Sequence, residues 1–144
     1  MRVLALVLVL LGACRPQAGS DVAGAPTPAA AVEAFLAAAR AQDLDAMALM
    51  WGNSRGLVRD QIPREERERR QLVMMCYMSH DSFRILDEGS GDTERPLRVE
   101  LTRGQRRLAT TFVTVRTAAG RWLVQNAELQ PLTEFCRNPP RGTS

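Results

Sequence analysis

Lysine is absent from this 144-residue chain: all 19 basic side chains are arginine, and there is one histidine, His80, and one tyrosine, Tyr77. Without lysine there is no Schiff-base nucleophile, and a lone imidazole excludes a paired-histidine metal site and most proton-transfer schemes. Gly-x-Ser-x-Gly, Walker and Cys-x-x-Cys patterns are also missing, which removes the usual marks of an esterase elbow, a phosphate loop and a dithiol centre. The sequence therefore says little about chemistry. Its all-arginine basic set reflects base composition rather than phosphate recognition. Once Arg2 leaves with the leader described next, 18 arginines face 16 acids, a balance of +2. That is too even for a nucleic-acid binder.

What the chain does have is an address. Met1-Arg2 is a minimal positive start, Val3 to Leu11 is an unbroken apolar run, and Leu11-Gly12-Ala13-Cys14 closes it. A run of about nine residues spans roughly 14 Å as a helix, half of a hydrocarbon core, so it is too short to cross a membrane. The charged start and small-residue end fit an export signal. Leu11-Gly12-Ala13-Cys14 resembles a bacterial lipobox, which implies cleavage after residue 13 and acylation of Cys14. An ordinary cleaved leader that happens to end near a cysteine is the plainer alternative. Several acyl chains on one cysteine give durable attachment where one chain binds only marginally. Arg15 rather than Asp follows Cys14, which by analogy with lipoproteins implies the outer membrane.

Cys76 and Cys136 remain. In an exported chain an even pair reads most simply as a disulfide. Closing a loop of about sixty residues stabilises by up to ~4 kcal/mol on the chain-entropy model. The competing reading is a metal site built from Cys76, His80 and Cys136, since Cys76 and His80 stand four apart. Three ligands are one short of a closed zinc site.

From Arg15 to Pro26 the residues are small or polar, apart from one Val, and read as a flexible tether with a reach of roughly 20 Å. The globular domain is expected from residue 27 to 144. Thr27 suits a helix cap and Pro28 the first helical position, and Val32, Phe35, Leu36 and Ala39 form one apolar stripe. Asp43 looks like the cap of a second helix carrying Leu44, Met47, Ala48 and Trp51, with Gly52-Asn53 ending it. Residues 56–61 read as loop or turn. Pro63 opens a third helix with Glu65 and Glu66 in its first turn, favoured by the helix dipole. Arg64 to Arg70 mix signs as a solvated face does. Beyond them Leu72, Met75 and Cys76 make one stripe and Met74, Tyr77 and Met78 another, so this half should be buried on most sides. Then the period becomes two. Phe83 and Ile85, Leu97 to Leu101, residues 106–116 and residues 121–129 read as four strands of an antiparallel meander, turning at Gly89–Asp92, Gly104-Gln105 and Ala118–Gly120. Thr111, Val113 and Val115 share one face of the third strand, and the pattern does not say which face is buried.

Two helices at a corner, a third helix and a meander form the element order of the NTF2-like superfamily. The stretch from Pro28 to Met47, with Phe35-Leu36 and an acidic-capped second helix, is similar to that family's opening. Gly120-Arg121-Trp122-Leu123-Val124 resembles its Gly-x-Trp-x-Val final strand. The resemblance implies an α+β cone: N-terminal helices on a curved antiparallel sheet of about four strands, with a cavity between. Met74, Tyr77, Met78 and Trp122 are the candidate cavity residues. Members include enzymes and silent ligand binders, so the family implies a shape and no reaction.

No catalytic residue, metal or cofactor is expected. His80, beside Asp81, reads as a partly positive cap at the C-terminus of the third helix. Asp43/Asp45 and Asp87/Glu88 read as a helix start and a solvated strand end. Trp51 and the methionines suit core filling. The leading expectation is a membrane-tethered, non-enzymatic envelope module that binds a small apolar ligand or an envelope protein. A small isomerase or dehydratase with an acid or base in the cone is the first alternative. A structural component that forms a homodimer through an apolar outer sheet face is the second.

Overall fold

The computed structural model describes residues 22–138, and within them the chain is α+β. Helix α1 (Pro28–Ala41) starts where Thr27 Oγ1 accepts a hydrogen bond from the Ala30 N–H at 3.1 Å. Such a cap contributes about 1 kcal/mol. The helix stops at Gln42, whose left-handed φ of 57° turns the chain while Asp43 N–H donates to Ala38 O. Asp43 Oδ1 then caps α2 (Leu44–Met50) through the Ala46 N–H at 2.9 Å. The expected corner is thus built by two caps and one αL residue.

Between α2 and the third helix the chain forms a small hairpin, β1 (Gly52–Asn53) with β2 (Gly56–Leu57), and a 3₁₀ turn at Val58–Asp60. Helix α3 (Arg64–Tyr77) follows, then β3 (Ser82–Glu88), β4 (Glu94–Arg103), β5 (Arg106–Arg116), β6 (Trp122–Ala127), a second 3₁₀ turn, and a short helix α4 (Thr133–Arg137). Strands β3 to β6 make one antiparallel sheet in chain order. Gly104 opens the two-residue β4–β5 turn with φ 58°, a conformation that suits glycine at that position of a hairpin.

One face of this sheet meets the helices. Leu97, Val99, Leu101 and Phe112 are fully buried there against Phe35 and Leu36 of α1, with Phe35 edge-on to Phe112 at 6.4 Å. The buried face of β5 is therefore Thr110, Phe112 and Thr114. The two threonine hydroxyls are satisfied by the carbonyls of Glu128 and Arg95. A bulge in β6 leaves Gln125 unpaired between the partners of Val113 and Thr114, and Val115, on the other face, is buried in a second cluster with Leu57 and Leu123. Elsewhere that outer face carries Arg84, Arg98, Glu100 and Arg107 together with Thr102, Ala109, Thr111 and Val113.

Packed structure extends N-terminal of Thr27: Ala25 is 5% exposed and exchanges two backbone hydrogen bonds with Trp122, while Gly24 N–H donates to Leu49 O. Small residues at 23–25 fit a place where backbone lies close against backbone, a signal that composition does not carry. Contrary to expectation, the second half of α3 is not buried on most sides, since Leu72 and Val73 are 53% and 52% exposed. The inward stripe runs Arg67, Gln71, Met74, Met78, so period decides which side is covered. Its polar half lies inside: Arg67 and Gln71 are the buried residues of α3 itself. No helix among the described residues is long and apolar enough to cross a membrane.

Candidate functional site

The β6 bulge, the end of α2 and the inner side of α3 surround a cleft of about 260 Å³. Phe35 forms its base. Met74 and Arg70, four apart on α3, form one wall, and Val124, Gln125, Asn126 and Ala127 of β6 with Leu129 form the other. Trp51 closes one side, fixed by a parallel bridge to Val124. The volume corresponds to about nine waters at liquid density. Five of the nine lining side chains are large and apolar, which suits an apolar guest with a polar end.

The cleft's only ionisable lining group is Arg70. Its guanidinium is engaged by Glu66, with Nε and Nη2 at 2.9 and 2.7 Å from Oε1. That pairing holds the Glu66 carboxyl below its ordinary pKa. Among the described residues three buried polar side-chain atoms have no partner: Arg67 Nε, Gln71 Oε1 and Gln125 Oε1. Gln71 spends its amide N–H on Leu44 O at 2.6 Å. Gln125 is the bulged residue and a wall of the cleft, so an unmet acceptor lies in the cleft's own lining residue.

Of the four candidate cavity residues, the cleft includes Met74 alone. Tyr77 is half-buried against the core. Met78 is a core residue at 1% exposure. Trp122 is 6% exposed and lies under Arg95, whose guanidinium carbon stands 5.4 Å from the ring centre. Arg95 also donates twice to Gly91 O and once to Glu88, which fastens the β3–β4 loop over that indole. Trp51 takes the place at the cleft that the sequence assigned to Trp122. Its position at the end of the α2 stripe was the available signal; the bulge left none.

Cys76 and Cys136 stand at disulfide distance, with Cα atoms 4.9 Å apart, joining α3 to α4. Among the described residues no group of three or more His, Cys, Asp or Glu side chains could hold a metal. His80 lies beyond the end of α3 and is 7% exposed. Its Nδ1 is 2.6 Å from Met78 O. Desolvation first, and then the charge of Arg40, lower its pKa, outweighing the Met78 bond and Asp81. Where a partly positive cap was expected, burial favours the neutral form of the ring and outweighs the helix end. Cys14 lies outside the described residues.

No protein-family model, curated protein or solved structure matches the chain.

Proposed function

We propose that this chain is a lipid-anchored protein of the cell envelope, acylated at Cys14, whose domain is an NTF2-like cone that binds a small, largely apolar ligand without transforming it. The leader from Met1 to Ala13 motivates the anchor, and a cysteine pair at disulfide distance suits an oxidising compartment.

The observation that carries ligand binding is the cleft between α3 and β6, where aromatic and aliphatic side chains converge on a few polar groups. Its walls contain no carboxylate or histidine, and its arginine is already paired with Glu66, so proton transfer there has no agent. Binding is the reading left. Dimerisation through the outer sheet face is disfavoured by the arginines and glutamate along it.

Native mass spectrometry of the protein extracted gently from its own membrane tests both parts. The expected result is acyl mass on Cys14 and an additional mass that denaturation releases, absent from a Met74→Trp variant in which the indole fills the cleft. Unmodified Cys14 would overturn the anchor. A bare polypeptide mass that also fails to bind small apolar probes would overturn the ligand reading. In whole cells, Cys14→Ser should move the protein from the membrane to the soluble fraction.

A further inference from the structure

A second concavity gathers chemistry that the cleft does not use. The last turn of α1 and the start of β3 flank an open groove of about 370 Å³ lined by Ala37, Arg40, Ala41, His80 and Phe83. Ala37, Ala41 and Phe83 make it apolar, and the His80 ring meets Phe83 edge-on at 5.8 Å. A carbonyl only accepts, so the contact between His80 Nδ1 and Met78 O puts the ring proton on Nδ1 and leaves a lone pair on Nε2. Nε2 has no hydrogen bond among the described residues, yet it is not among the polar atoms sealed from solvent without a partner. It therefore keeps some contact with solvent, on a side chain that is otherwise more than nine-tenths buried. Arg40 shares the groove wall and takes part in none of the ion pairs among the described residues.

We propose that this groove is a binding site for a small carboxylate with an apolar body, its carboxylate held by Arg40 and His80 Nε2 and its body lying on Ala37, Ala41 and Phe83. Guanidinium and carboxylate match as a two-point pair. A site with an unpaired cation beside apolar surface selects an anion over a neutral molecule of the same shape. This groove shares no lining residue with the cleft, so it stands whether or not the cleft holds a ligand.

Occupancy carries a proton with it. A carboxylate has only acceptor atoms and so has the neutral Nε2, so the two meet favourably only when Nε2 takes up a proton from solvent. In the free site the charged groups acting on His80 are Arg40 from α1 and the neighbouring Asp81, and burial together with Arg40 favours the neutral ring. A bound carboxylate adds negative charge beside the ring and raises its pKa. By linkage the converse holds: affinity for the carboxylate rises as pH falls, by up to about tenfold per unit where the free ring is neutral and the bound ring protonated.

Because His80 is the only histidine, one proton resonance reads the site. The full chain in detergent micelles is titrated with pH while the His80 Cε1–H is followed, alone, with benzoate at saturation, and with benzyl alcohol as the neutral control. Benzoate should raise the His80 pKa and benzyl alcohol should not. Arg40→Gln, at an exposed position, should raise the free pKa and weaken benzoate by about tenfold or more. A titration curve that benzoate leaves unmoved overturns the site. So does a benzoate shift that survives in Arg40→Gln, or one that benzyl alcohol reproduces.

Discussion

At one end of the described chain, Ala25 is held by two backbone hydrogen bonds to Trp122 and by Arg121, which donates to the carbonyls of Ala23 and Gly24. At the other end, α4 is held almost entirely by side chains. Phe135 is 1% exposed, Cys136 joins Cys76, Arg106 pairs with Glu134 at 3.0 Å, and Arg103 stacks on the Phe135 ring while donating to the carbonyls of Phe135 and Asn138. The N-terminal seam thus rests on hydrogen bonds, each worth about 1 kcal/mol net. The C-terminal helix rests on a buried aromatic and a cross-link. The first can open alone, whereas the second opens only with the core. If the lipid is on Cys14, any pull from the membrane loads the weaker of the two.

The largest test of this contrast is Phe135→Ala, which should cost about 3–5 kcal/mol in chemical denaturation, because a fully enclosed ring leaves a cavity that Arg103 cannot fill. A loss below roughly 1 kcal/mol would mean that α4 is an accessory and that the two ends are alike. Replacing Cys76 and Cys136 by serine should cost somewhat less, about 2–4 kcal/mol. In hydrogen exchange that variant should speed the α4 amides while the Trp122 amide, bound to Ala25 O, stays as slow as before. Equal speeding at both ends would show that they belong to one cooperative unit. Ala25→Pro attacks the other end. It removes one donor and leaves the Trp122 carbonyl unmet, at about 1–3 kcal/mol, and should free residues 23–25 to proteolysis without touching α4.

Why the first corner and the strands were legible and the two ends were not follows from the kind of signal each uses. Thr27, Pro28 and Asp43 act through their own side chains within three or four residues, so the first corner could be read from sequence. The strands could be read because Leu97, Val99 and Leu101 alternate on a single buried face. Ala25 carries no such mark, for its role is to let two backbones approach. Nor does α4, which is only five residues long and is fixed by Arg103 from another strand. The cysteine pairing could be anticipated from the even count and the export signal read in the first residues. Around the cleft, Met74 was within reach of the α3 period. Trp51 was marked only by its place at the end of the α2 stripe, and Gln125 owes its position to a bulge, a property of pairing rather than of local pattern. The Arg67–Gln71 stripe shows the same limit on a helix: an inward period filled with polar residues looks like a solvated face.

The smallest expected effect concerns pH and again separates the two ends. His80 lies in the turn between α3 and β3. Asp81, next to it, donates its N–H to Thr102 O and accepts from the Gly104 N–H at 2.7 Å, beside the Arg103 that clamps α4. Burial and Arg40 lower the His80 pKa in the folded protein, so below the ordinary value near 6.5 the unfolded chain binds the proton more readily. Stability from this group is therefore complete above about pH 6.5 and declines as pH falls through the window down to the folded pKa. Below that window its contribution is flat. Denaturation midpoints measured from pH 7.5 to 5 should fall across the window in the wild type and lose that component in His80→Asn. Exchange at each pH, corrected for the intrinsic rate, should rise first at the amides of α4 and the β4–β5 turn, ahead of the Ala25–Trp122 seam. A decline that persists unchanged in His80→Asn would assign the pH dependence to the carboxylates. The covalently fastened end would then have no proton-sensitive hinge.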